Sequence, residues 1–378
     1  MAYFKVCGGD PSALADLLCA SLNVVGFTWV AAPAATELEI VMCDWVARLM
    51  GLPDCFLSTS PGGGVIQTTA SDSLLCAMIA AETERWKASR SSTSRQGVAA
   101  RDTHSIGGKG CLVLDLPHLR VIPTRRGATD PDNYGLHPDD VAAGDAAGRG
   151  CGVSCRSCWC RTGHDVDDGD YRSRCARWWR SHAGSARPLW VHIDGAYGGR
   201  GSDLSRVPPL ARRRVELVDS LCINPHTSGS WSAMDCSLLW RARPPAADPG
   251  GSRSTRVPQE DFMCAVNYKD WQVALGRRFR SLKLWFTLRR FGGRGAGART
   301  SAARSSSRVA PRSQPGLRTG RFTIFTPQCA MGLVASTCRL VGRELNEALL
   351  RRVNTPARPS SSTRSSTAPT SCASRQRR

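Results

Sequence analysis

Leu189-Trp190-Val191-His192-Ile193-Asp194 is the stretch that decides the fold. An apolar run of this length that stops on a carboxylate reads as a buried strand of an open α/β sheet, where ligand chemistry collects beyond the strand ends. Ser220-Leu221-Cys222-Ile223 repeats the pattern and ends at the polar Asn224-Pro225-His226. Working outward, Leu119-Arg120-Val121-Ile122 reads as a further strand and Cys55-Phe56-Leu57 as a short one. Helical spacing follows Pro33 and Thr36, with Glu37 and Glu39 in a first turn and apolar residues behind. That pattern predicts an amphipathic helix with Trp45 and Leu49 on its buried face, stopped by Gly51-Leu52-Pro53. Helices are also expected at 74–81, 137–143 and 277–290, the last basic and amphipathic, with Phe279, Leu282, Leu284 and Trp285 available to a core. Gly62-Gly63-Gly64 through Asp72 reads as a glycine-rich turn at the mouth of the 74–81 helix, where backbone N–H groups and hydroxyls can meet a phosphate. Taken alone, such a turn is more often only a turn.

At 378 residues the chain has room for one large α/β domain and a smaller one. Its 41% apolar and 22% charged residues suit a globular protein, and no run of ~18 apolar residues is present to span a bilayer. Collagen, coiled coil and membrane channel are excluded. The net charge of +20 is unevenly placed: residues 291–378 carry 16 basic and 2 acidic side chains, residues 21–86 only 2 basic and 7 acidic. The excess belongs to an Arg/Ser-rich tail without an aromatic-interleaved basic patch, so neither nucleic acid nor a membrane is expected as a partner. Seventeen cysteines behind an amino terminus without export features predict reduced thiols and a cytoplasmic location. Cys151, Cys155, Cys158 and Cys160, with His164 nearby, superficially look like a zinc knuckle. They lack the paired C-x₂-C spacing and a second ligand pair, so no metal is expected.

Several blocks, read together in chain order, resemble the pyridoxal-phosphate-dependent aromatic-L-amino-acid decarboxylases, nearest to the plant tyrosine and tryptophan enzymes. They are Gly26 to Glu39 (GFTWVAAPAATELE), the GGGVIQ segment, Trp190-Val191-His192-Ile193-Asp194-Gly195-Ala196-Tyr197, Asn224-Pro225-His226, and Lys269 to Lys283 (KDWQVALGRRFRSLK). Together they span roughly half the chain, in the family's order. The resemblance implies a fold type I α/β architecture: a mostly parallel seven-stranded sheet flanked by helices, plus a small C-terminal domain, in a dimer with active sites at the interface. It divides the chain into a truncated N-terminal segment (1–20), a cofactor-binding large domain (21–290, with 144–188 irregular), an Arg/Ser-rich stretch (291–319), a remnant of the small domain (320–354) and a basic tail (355–378). By resemblance, Thr69, Ala70 and Ser71 hold the phosphate of pyridoxal 5'-phosphate, and His104 stacks on its ring. Asp194 pairs with the ring nitrogen, Ala196 lies against the ring face, and Asn224 and His226 border the cofactor lysine's position. Trp29, Pro33 and Thr36 line the pocket for an aromatic L-amino acid. These residue types suit the chemistry, because a carboxylate beside the ring nitrogen keeps it protonated and able to absorb the electrons left by CO₂.

The chain also departs from that pattern. The family's Asn-Pro-His is followed by the lysine of the internal Schiff base; here Asn224-Pro225-His226 is followed by Thr227, whose hydroxyl cannot form an imine. Between Trp240 and Asn267 there is no tyrosine to protonate the carbanion, a role typically worth roughly 10²–10⁴-fold in rate. Impaired activity is therefore expected, or a cofactor-binding pseudoenzyme paired with an intact paralogue. Residues 144–188 are expected to lack the family's core strand, and the helical segment that wraps the dimer partner to be missing before Met1. The stretches 144–188, 293–318 and 355–378 share a composition rich in Arg, Ser, Gly, Ala, Pro, Cys and Trp, which GC-rich codons yield in a shifted frame. Reading the coding DNA in its other frames is expected to reveal a family-like strand within 144–188; its absence from every frame would dismiss the frame-shift origin.

Overall fold

The computed structural model describes residues 10–88, 96–100, 104–116, 118–122, 140, 143, 157–161, 190–196, 215, 218–226, 236–242, 266–292, 322–324, 336–338, 347–348 and 351–352. Seven strands form one sheet: β1 (Gly63–Gln67), β2 (Gln96–Ala100), β3 (His118–Ile122), β4 (Ser157–Arg161), β5 (Trp190–Gly195), β6 (Ser220–Ile223) and β7 (Ser237–Arg241). Their order is β1-β7-β6-β5-β4-β2-β3. From β6 to β3 every neighbour is parallel, and only β7 runs against its neighbours, between β6 and β1. The expected mostly parallel seven-stranded fold type I sheet is thus present. β5, β6 and β7 read as near-continuous apolar runs because both their faces are covered.

Four helices lie among these strands: α1 (Asp10–Leu22), α2 (Pro33–Met50), α3 (Ala70–Ala88) and α4 (Ile106–Val113). A fifth, α5, spans 281–292. On one face of the sheet, α2 and α5 enclose a core of Met42, Val46, Phe56, Ile66, Ile193, Ile223, Trp240, Leu284 and Leu288. On the other, α3 crosses β1, β7, β6, β5 and β4, with Leu74, Ala77 and Met78 packed near Trp190. β8 (Phe322–Ile324) and β9 (Ser336–Cys338) pair antiparallel as a separate two-stranded sheet.

Local chemistry corrects several expectations. The buried stripe of α2 is Ala35, Thr36, Glu39, Met42, Cys43, Val46, Ala47 and Met50, while Trp45 and Leu49 are each 37% exposed. Small residues are needed on the inner face because α2 passes so close to β1 that a Cβ on Gly64 would sit 2.7 Å from Cys43 Cβ. The same crowding recurs at Gly62, where a Cβ would sit 2.1 Å from the Cys55 carbonyl oxygen, and Gly63 and Gly64 open β1 instead of forming a phosphate-binding turn. Cys55-Phe56-Leu57 is not a strand, since Asp54–Phe56 form a single 3-10 turn behind Pro53. The 277–290 helix begins only at 281; Arg277, before it, is buried in an irregular segment. Residues 144–188 do supply a strand: β4 sits in register between β2 and β5. Most of the 137–143 helix lies outside the described residues.

β1 is an edge strand, and its outward polar groups are closed by side chains. Glu39 Oε1 accepts the Ile66 N–H at 2.8 Å, and the Tyr268 hydroxyl donates to the Gly64 carbonyl at 3.2 Å. Arg277 forms a buried ion pair with Glu39, donates to Gln272 Oε1 at 2.6 Å and lies 4.6 Å from the Tyr268 ring centroid. Within the sheet, Ser220 Oγ on β6 accepts the Trp190 indole N–H at 3.0 Å and lies 2.7 Å from His192 Nδ1. Burial lowers the His192 pKa from 6.5 to about 4, against the opposing pull of Asp194. The histidine is therefore neutral in the native state.

Two stability predictions follow from these buried groups. Arg277→Met strands the Glu39 carboxylate and is expected to cost about 3–5 kcal/mol in urea unfolding, whereas the double variant with Glu39→Gln recovers much of that loss. His192 takes up a proton on unfolding below pH 6.5, so its share of stability is complete above that pH and is lost as pH falls through about 4. The loss is on the order of 3 kcal/mol. His192→Gln should flatten the difference in urea midpoint between pH 7 and pH 4; an unaltered difference would show that another group carries it.

Candidate active site

Because β1 and β6 both run against β7, they are parallel to each other, and the carboxyl ends of β1, β2, β5 and β6 share one edge of the sheet. That edge gathers the residues singled out from the sequence. Gln67 ends β1 and leads through Thr68 and Thr69 into α3; His104 stands after β2, just before α4; β5 is followed by Ala196, with Asp194 the last residue but one of the strand; β6 is followed by Asn224, Pro225 and His226. Thr227 and Tyr197 lie outside the described residues, as does most of the segment between Trp240 and Asn267.

Asp194 is half-buried, and its Oδ1 takes two donors. The Ala196 amide lies at 3.0 Å, and the Cys222 thiol, opposite on β6, lies at 3.7 Å. Burial, then the neighbouring Asp194 charge, push the Cys222 thiol well above its usual pKa, so the sulfur keeps its proton. Asn224 Oδ1, two residues beyond Cys222 in the chain, is buried and has no hydrogen-bond partner among the described residues.

The start of α3 is a capping box. Thr69 Oγ1 accepts the Asp72 N–H at 3.1 Å, and Asp72 Oδ2 accepts from both the Thr69 amide and hydroxyl at 3.1 Å. The Thr69 hydroxyl is thereby committed to the helix. The first-turn amides of Ala70 and Ser71, beyond reach of any i−4 carbonyl of their own helix, are the groups able to meet an anion. His104 is exposed just before α4, with Nδ1 accepting the Ile106 amide at 3.3 Å.

Trp29, Pro33 and Thr36 bracket the start of α2. The Trp29 backbone amide donates to Asn267 Oδ1 and its indole N–H to Glu37 Oε1, both at 3.1 Å, so the backbone and the ring are each tied once. The Lys269 amide donates to the Phe27 carbonyl at 2.9 Å, strapping the same loop to the 266–271 segment. Thr36 is buried with its hydroxyl on the Ala32 carbonyl, while Pro33 is exposed in the first turn. Cys222, Asn267 and Asp72 went unnoticed in the sequence. Only Asp72 carried a local signal, the Thr-x-x-Asp spacing of a capping box; the other two act through strand register and long-range contact.

The pyridoxal-dependent decarboxylase conserved domain matches residues 1–113 and 180–338, passing over the stretch that includes most of the Cys/Arg/Trp-rich segment. An aromatic-L-amino-acid decarboxylase of Catharanthus roseus is 34% identical over 311 residues, covering 77% of this chain and 58% of that protein. The structure of Catharanthus roseus tryptophan decarboxylase in complex with L-tryptophan superposes with a TM-score of 0.76 at 28% identity, over 94% of this chain and 74% of that one. Oryza sativa tryptophan decarboxylase with pyridoxal phosphate and tryptamine superposes with a TM-score of 0.78 at 28% identity, over 93% and 74%. The chain spans less than three fifths of the length of the plant relatives it matches. With its sheet order, the edge on which its polar residues meet and these likenesses in agreement, the chain belongs to the pyridoxal-dependent decarboxylase family, whose cofactor is pyridoxal 5'-phosphate.

Proposed function

We propose that this chain is an aromatic-L-amino-acid decarboxylase homologue that binds pyridoxal phosphate without covalent attachment and is impaired in turnover. The observation that carries the reading is the pairing of a retained carboxylate, Asp194 at the end of β5, with Thr227 where the family has its lysine. The residues present suit the cofactor as a non-covalent ligand. The α3 N-terminus offers the amides of Ala70 and Ser71 to a phosphate, Asp194 offers a charge to a protonated ring nitrogen, and the orphaned Asn224 Oδ1 lacks a donor at the same edge.

When bound, the cofactor supplies an electron sink for decarboxylation. His104, exposed just before α4, would cover the cofactor ring, and the small Ala196 after β5 would leave room for it. Trp29, held by Asn267 and Glu37, and Thr36 with Pro33 wall the place of an aromatic side chain such as that of tyrosine, tryptophan or dopa. Among the described lysines, Lys269 lies 3.3 Å from Asp270, Lys283 lies 2.8 Å from Asp16, and Lys109 is exposed on α4; none stands at the position after His226. A homodimer, or a dimer with an intact paralogue, completes the reading. It is supported by the exposed apolar side chains of Leu14, Leu17 and Leu18 on α1.

Borohydride treatment of the protein with pyridoxal phosphate is expected to leave no reduced adduct on the wild type and one adduct on Thr227→Lys. That variant should form some amine from tyrosine or tryptophan, at a rate still roughly 10²–10⁴-fold below an intact relative because the proton-donating tyrosine is missing. Brisk amine formation by the wild type would refute the impairment.

A further inference from the structure

We propose that Cys222 is a positioning residue: its thiol fixes the rotation of the Asp194 carboxylate that faces the cofactor's ring nitrogen. The inference rests on the cofactor reading above and adds to it a residue on the neighbouring strand. The parallel register sets Cys222 directly opposite Asp194. Cys222 points to the α3 face of the sheet, where it packs with Val65, Cys76, Leu239, Tyr268 and Trp271, and it is fully buried.

A carboxylate at the end of a side chain has a broad, roughly two-fold torsional preference and does not choose its own orientation. Here the Cys222 thiol and the Ala196 amide both donate to the same oxygen, Oδ1, from two different directions. Two donors on one oxygen set the plane of the group. Either a thiol or a hydroxyl can supply the second donor at this position. Burial keeps Cys222 protonated and hence a donor, while the neutral His192, one pairing back on the same face, does not offset the Asp194 charge. A side chain that only filled the core would need neither the sulfur's contact with Oδ1 nor a proton on it.

Two measurements test this. In the cofactor-free protein, the S–H stretching band removed by Cys222→Ala in infrared difference spectra should move to higher frequency in Asp194→Asn, where the anionic acceptor is gone. In titrations with pyridoxal phosphate followed by ring absorbance, Cys222→Ala should weaken binding about three- to tenfold, and Cys222→Ser, which restores a donor, should return it to within about twofold of the wild type. A wild type that leaves the cofactor spectrum unperturbed overturns the cofactor reading and the inference together. Equal binding by wild type and Cys222→Ala, or an S–H band unmoved by Asp194→Asn, overturns the inference alone.

Discussion

The free edge of β1 is the constraint on which the arrangement depends. An edge strand presents unpaired N–H and C=O groups, and burying them unmet costs about as much as losing the hydrogen bonds themselves. Here the edge is buried by α2 on one side and the 266–280 segment on the other, so side chains must take the place of an eighth strand. Glu39 accepts from Ile66 and Tyr268 donates to Gly64. Bringing a carboxylate into that space requires a cation, and Arg277 arrives from 238 residues away to supply it. The pair thereby joins α2 to the segment preceding α5, which no local interaction would do.

The same closure sets the position of the site. Gln67, the last residue of β1, donates its side-chain amide to the Trp271 carbonyl at 2.8 Å, so the exit of β1 into α3 is held by the segment that carries Arg277. Asn267 and Lys269, from that segment, hold the loop bearing Trp29. The N-terminus of α3 and the loop bearing Trp29 are thus tied to a common support. Asp194 rests on a different one, the parallel β5–β6 pair, whose register is reinforced by Ser220 between Trp190 and His192. Two rigid supports meet at one sheet edge, the arrangement that open α/β sheets use to collect ligands.

Much of this was legible in the sequence where a local pattern had one physical meaning. Trp190 to Asp194 and Ser220 to Ile223 read as buried strands because both their faces are covered, so their apolar runs are unbroken. The α2 face was misread because the largest apolar residues, Trp45 and Leu49, attract attention, while the close crossing over Gly64 selects small ones such as Cys43 and Ala47. The glycine triplet was misread for the same reason: a glycine can mark a turn or a crowded neighbour, and only the neighbour's position tells which. β4 gave no signal, since Ser157-Cys158-Trp159-Cys160-Arg161 lacks the unbroken apolar run that marks β5, and only its pairing with β2 and β5 identifies it. Cys222 and Asn267 could not be found at all without register, because their partners are 28 and 238 residues distant.

Scaffold and chemistry separate cleanly in this chain, and the physics of burial explains how. The Glu39–Arg277 pair, the α2 crossing and the β5–β6 ladder draw their energy from desolvated contacts that do not involve the residue after His226. Losing a lysine there costs the fold little, since a cofactor lysine is held for its reactivity and not for its packing. The row of polar groups facing α3 has the opposite balance. Asp194, His192 and Asn224 each give up hydration, and an apolar row of the same shape would be no less stable. Under the cofactor reading, that row owes its place to a charged, flat ligand which still needs an anion, fixed donors and an acceptor, even where no covalent bond holds it.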